Sequence, residues 1–115
     1  MALFDNLSLY QGDDFSQEIL YLEQDSTPVN LTNYSARMQV RQDYGITPII
    51  SVTTETDGGI TKDNANGIFI ITITNELTST LIAGSYIYDF EVTDGDDKVT
   101  TILKGNFLIN KEVTK

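Results

Sequence analysis

Residues 82–93 read IAGSYIYDFEVT, and this stretch decides the fold. From Tyr86 to Thr93 the side chains alternate: Tyr86, Tyr88, Phe90 and Val92 fall on one face, and Ile87, Asp89, Glu91 and Thr93 on the other. Successive side chains of an extended chain point to opposite sides, so this period of two describes a strand with one face in a core and one in water. Just ahead of it, Ile82-x-Gly84-x-Tyr86-x-Tyr88 has the spacing of a tyrosine corner, in which a tyrosine opening strand F of an immunoglobulin-like sandwich bonds back to the backbone a few residues upstream. Tyr88 stands where antibody domains carry their second cysteine. A Tyr86 that merely packs in the core with its hydroxyl near the edge would leave the same sequence pattern.

Working outward, the same alternation runs from Tyr34 to Arg41, with Tyr34, Ala36, Met38 and Val40 opposed to Ser35, Arg37, Gln39 and Arg41. Between Asp14 and Leu22, Phe15, Ile19 and Tyr21 mark one face while Leu20 and Leu22 mark the other, which predicts burial on both sides towards that strand's end. Ile49 to Thr54 is a short β-branched run, and Ile68 to Thr74 (IFIITIT) is apolar on both faces, as in a central strand. Asp94 to Asp97 joins the Tyr86 strand to Val99–Lys104 as a hairpin. Gly105 then interrupts the final strand and predicts a bulge or bend before Phe107, Leu108 and Ile109. Only Asn75 to Ala83 reads as helical, with Asn75 as its N-cap.

The sum is one all-β domain over residues 1–115, an antiparallel immunoglobulin-like β-sandwich of about seven strands, with residues 1–6 as an N-terminal arm. A parallel sheet would need crossover helices that the sequence does not encode. The alternation predicts Tyr34, Met38, Val40, Tyr86, Tyr88 and Phe90 in the core, and Ile70 joins them from the doubly apolar strand.

Composition narrows the chemistry. The 115 residues include 7 basic and 17 acidic side chains, a net charge of -10, and no His, Cys or Trp. Without imidazole or thiolate there is no Ser-His-Asp triad, no cysteine nucleophile and no ordinary structural zinc site. The seven cations are scattered, which argues against neutralising nucleic-acid phosphates. No stretch approaches the roughly 18 apolar residues of a membrane helix, and Met-Ala-Leu-Phe-Asp-Asn lacks the basic start and apolar run of a signal peptide.

Carboxylates are the one abundant reactive type. Asp13/Asp14 and Asp94–Asp97 lie in predicted turns, where water keeps them ionised, whereas a general acid needs burial to raise its pKa. The Asn64-x-Asn66-Gly67 segment has half of a calcium loop, but Lys62 stands at its first ligand and Ile73 at its last. Asp94, Asp96 and Asp97 could hold a loose ion at the hairpin tip, or simply be solvated there. Arg37 and Arg41 form a short basic stripe expected to pair with acidic neighbours. The expectation is therefore no catalytic residue, no metal site and no cofactor.

With the strands in place, longer strings become recognisable. Gln11-Gly12-Asp13-Asp14-Phe15, then Val29-Asn-Leu31-Thr32-Asn-Tyr34 running into the Arg37 strand, Leu77-Thr78 with Leu81 and Gly84-Ser-Tyr86-Ile-Tyr88-Asp89, and finally Lys104-Gly105 with Glu112-Val113-Thr114 together resemble small tail-associated virion proteins of bacteriophages. They are also similar to the immunoglobulin-like N-terminal domain of phage baseplate upper proteins, which continue into C-terminal parts reaching a receptor-binding protein. The resemblance spans about Leu7 to Thr114 and brings no catalytic motif.

It implies a non-enzymatic structural subunit of a virion, tail, baseplate or neck associated, made in the host cytoplasm. Its partners would be other virion proteins and further copies of itself, with no nucleic acid and no membrane. A carbohydrate-binding or adhesion module is the competing use of such a scaffold, and it would need an exposed aromatic platform. The residues expected at a partner are Leu3, Phe4 and Leu7 in the N-terminal arm, and Tyr44, Ile46 and Pro48 in an apolar connection where loops are normally polar.

Overall fold

A computed structural model describes residues 3–43 and 45–111. Nine strands and one helical turn follow each other along these residues: β1 (Leu3–Phe4), β2 (Leu7–Tyr10), β3 (Phe15–Leu20), β4 (Ser35–Arg41), β5 (Ile50–Thr53), β6 (Ile60–Asp63), β7 (Ile68–Ile73), α1 (Asn75–Thr78), β8 (Gly84–Thr93) and β9 (Val99–Asn110). They form two sheets. One is three-stranded in the order β3-β7-β6; the other runs β1-β9-β8-β4-β5, with β2 also paired to β9. In immunoglobulin lettering the first is B-E-D and the second G-F-C-C′, so the strand order itself defines an immunoglobulin-like β-sandwich.

The inner faces follow from the alternation. Phe15 and Ile19 of β3, Ile60 of β6, and Phe69, Ile71 and Ile73 of β7 meet Met38, Val40, Tyr88, Phe90 and Phe107 of the other layer within one buried cluster. Phe69 packs edge-on against Phe90 with 5.3 Å between ring centres, and both rings are fully buried. Phe107 takes Phe15 on one side at 5.8 Å and Tyr88 on the other at 6.0 Å. The tyrosine corner is formed: the Tyr86 hydroxyl donates to the Ile82 carbonyl at 2.7 Å.

Several expectations are corrected. Ile70 is not core; it lies half-buried on the outer face of β7, because Ile60 and Ile19 fix the Phe69/Ile71/Ile73 face inward. Leu20 and Leu22 are exposed, since nothing among the described residues covers the outer side of the three-stranded sheet there. Tyr34 sits half-buried at the rim, edge-on to Tyr21. The helix is one turn, capped from Thr74 rather than Asn75, and the Asn75 amide donates to the Asp14 carboxylate at 2.7 Å. The six runs read as strands are β3, β4, β5, β7, β8 and β9, and β1, β2 and β6 join them to make nine among the described residues.

The N-terminal residues differ most from expectation. Instead of a free arm, Leu3–Phe4 pairs in parallel with Leu103 and Lys104, and Leu7–Tyr10 continues the ladder along Phe107 to Asn110. Leu7 and Leu9 thereby enter the core, so Leu7 is a packing residue and not a partner contact. Between the two short strands the chain steps over Gly105, where a Cβ would stand 2.1 Å from the Asp5 carbonyl oxygen. The Tyr88 hydroxyl, whose strand position faces Gly105, donates to that same carbonyl at 2.7 Å. Gly105 thus marks a close backbone approach, and the register shift of β9 falls earlier, opposite Phe90/Glu91.

Two substitutions test this packing. Gly105→Ala should destabilise the domain by about 2–3 kcal/mol, because the added methyl must displace the Asp5 backbone, and the loss should be read in urea-unfolding midpoints. Tyr86→Phe keeps the ring and removes only the corner hydrogen bond. It should cost about 1 kcal/mol in the same assay.

Candidate interaction surface

On the outer face of the six-stranded sheet, register places side chains from three strands in rows. Gln39, Asp89 and Lys104 stand side by side across β4, β8 and β9, and Arg41, Ile87 and Asn106 form the next row. A groove of about 440 Å³ opens over these rows, bounded at one end by Asn6 and at the other by Gly45 of the β4–β5 loop. Arg41 builds that end. Its guanidinium donates to the Ile46 carbonyl and to Gln39 Oε1, each at 2.6 Å, so a fixed planar fork ties the loop to the sheet.

Electrostatics on this face are balanced within a mostly acidic chain. Arg37 Nη2 lies 2.7 Å from Glu91 Oε1 across the β4–β8 ladder, the acidic pairing expected of it, whereas Arg41, expected to pair likewise, bonds the neutral oxygens named above. The guanidinium is largely exposed, and such pairs contribute under about 1 kcal/mol. Asp89 has its pKa raised, first by partial burial and then by the Glu91 charge, with Arg41 and Arg37 pulling it back.

Among the residues expected at a partner, Ile46 is exposed and Pro48 half-buried in the loop that Arg41 pins. Tyr44 and the side chains of Leu3 and Phe4 lie outside what the structure describes, and Leu7 is in the core. Sequence reading missed the groove itself, since its residues are far apart in the chain and meet only through register. It also missed Lys62. The Lys62 ammonium turns into the sandwich edge and donates to the Leu31 and Tyr34 carbonyls at 3.0 and 2.7 Å, holding the β3–β4 connection. Its one signal is a lysine in the inward phase of an alternating run.

Two of the carboxylates considered for chemistry, Asp14 and Asp94, are engaged by backbone. Asp94 Oδ1 accepts from the Asp96 and Lys98 amides and shapes the hairpin turn, while Asp14 holds the start of α1. Among the described residues no group of three or more acidic side chains converges as a metal site would require. Among the described residues no helix is long and apolar enough to cross a membrane.

No protein-family model matches this sequence, and no curated protein matches it either. Among solved structures, CopC from Methylosinus trichosporium OB3b is similar at 14% identity and a TM-score of 0.42, over 70% of this chain and 66% of that one. Extracellular domains 3–5 of Drosophila OTK are similar at 14% identity and a TM-score of 0.39, over 90% of this chain and 32% of that one. This chain thus spans just under two thirds of the first structure and about a third of the second. At these scores the likenesses say nothing about a ligand or partner, and the fold rests on the strand order described above.

Asp89 gives a pH test. With a raised pKa in the folded state, its contribution to stability is full in acid and is lost as the pH rises through that raised value. Asp89→Asn should therefore melt above the wild type at pH 7, and the gap should close as the pH falls below the ordinary value of 3.8. Thermal unfolding across pH 3 to 8 reads both.

Proposed function

We propose that this chain is a non-enzymatic structural subunit of a bacteriophage virion, associated with the tail, baseplate or neck, and that it acts through protein–protein contacts with other virion proteins. The observation that carries the reading is the pinned β4–β5 loop beside an open groove: an apolar side chain, Ile46, is held outward by a hydrogen bond to its own carbonyl from Arg41. Fixing a loop before contact lowers the ordering cost of binding, which is how a small surface gains affinity. The sequence resemblance supplies the kind of particle, and the sandwich is a rigid support for such loops. A carbohydrate-binding module gains less support, because its aromatic platform would have to be built around Tyr10, the one large aromatic that stands well exposed among the described residues.

The experiment is a mass-spectrometric census of purified phage particles combined with Ile46→Asp. The wild-type chain should be found in particles at a fixed stoichiometry. Ile46→Asp should unfold within about 0.5 kcal/mol of the wild type, as surface changes usually do, and yet incorporate poorly. Absence of the chain from particles would overturn the reading, and normal incorporation of the variant would remove the loop from the contact.

A further inference from the structure

Asparagine chemistry depends on the residue that follows. The chain has eight asparagines, and only Asn66 precedes a glycine; the others precede Leu, Tyr, Ala, Glu, Phe or Lys. With no Cβ on the next residue, nothing crowds that residue's amide nitrogen as it approaches the asparagine side chain. The fold itself demands this neighbour. Gly67 closes the β6–β7 turn with φ +66°, and a Cβ there would stand 2.7 Å from the Tyr21 carbonyl oxygen. Asn66 is exposed at the tip, where its Nδ2 donates to Asp63 Oδ2 at 2.9 Å. Gly67 is buried, and its amide N–H meets no hydrogen-bond acceptor among the described residues. A buried donor without a partner raises the energy of the chain as it stands, and a reaction that removes its hydrogen relieves that cost.

We infer that Asn66 and Gly67 form a self-modifying pair, in which Asn66 is converted to aspartate and isoaspartate and the loop end of the sandwich is loosened as a result. Hydroxide takes the Gly67 amide proton, and the nitrogen bonds to Asn66 Cγ. The Cγ–Nδ2 bond breaks, Nδ2 takes up a proton from water and leaves as ammonia, and a five-membered succinimide remains. Water then opens the ring. Cleavage at Cγ restores the main chain with an aspartate, whereas cleavage at the backbone carbonyl carbon routes the chain through Cγ as isoaspartate. In total one water is consumed and one ammonia released, with no oxidation or reduction. Both products disturb the same contacts. In aspartate a carboxylate replaces the group that donates to Asp63, and in isoaspartate a further carbon enters the main chain just before Gly67. That neighbourhood holds the loop end together: the Gly67 carbonyl accepts from the Tyr21 amide at 2.7 Å, and the Asn64 carbonyl from the Leu31 amide at 3.1 Å. The inference does not depend on the virion reading above.

The test ages the full chain in warm, mildly alkaline buffer and follows it by ion exchange and peptide mass mapping. Asn66 should convert at least about ten-fold faster than any other asparagine, because only its attacking neighbour lacks a side chain. Isoaspartyl methyltransferase should label the peptide that carries it. Asp57 and Asp94 also precede glycine and can yield isoaspartate, but without the change in mass and charge. The aged, more acidic fraction should unfold at lower urea than fresh protein. Asn66→Gln, whose longer side chain would have to close a six-membered ring, should stay unconverted and keep its urea midpoint on ageing. Native Asn66 that stays intact, an aged fraction as stable as the fresh one, or an Asn66→Gln variant that ages like wild type would each overturn the inference.

Discussion

The contact of Phe69 with Phe90 joins the two sheets, and the rest of the structure is arranged around it. Both rings are withdrawn from water, one from each layer, in the tilted geometry that aromatic quadrupoles favour. Once β7 and β8 face each other through this pair, period two dictates which residues of every neighbouring strand point inward. Register then carries the same phase to β3, β6, β4 and β9. A slip of one residue in either strand would send Asp89 or Ile70 into the core in place of a phenylalanine.

What the sequence could disclose follows from how local each interaction is. The strands from Tyr34 and from Tyr86 were legible because one face of each is wet, which leaves the alternation unbroken, and the corner at Tyr86 was legible because its hydrogen bond spans four residues. Ile68 to Ile73 was ambiguous for a physical reason: with isoleucine on both faces, only the strands paired to it decide which face is buried. That is why Ile70 was misplaced. Leu20 and Leu22 failed in the same way.

The candidate surface was less visible than the fold. An apolar loop around Ile46 can be read directly, but Gln39, Asp89 and Lys104 become neighbours only when three strands are registered. Gly105 announced an irregularity without saying which kind. A bulge and a backbone crossing both select glycine, and the crossing chain comes from the opposite terminus of the sequence.

That crossing bears on how the protein is made. Asn6 and Asn106 meet although they stand 100 positions apart, and the parallel ladders of β1 and β2 on β9 are the most distant strand pairings among the described residues. Closing so long a loop is entropically slow, and on the ribosome it has to wait until β9 has emerged. Until then Leu7 and Leu9 have no strand to bury them, while the sheet of β4, β5 and β8 has one edge uncovered. A nascent chain in that state is the form most open to capture by chaperones or by its own kind, and the emergence of β9 ends that exposure.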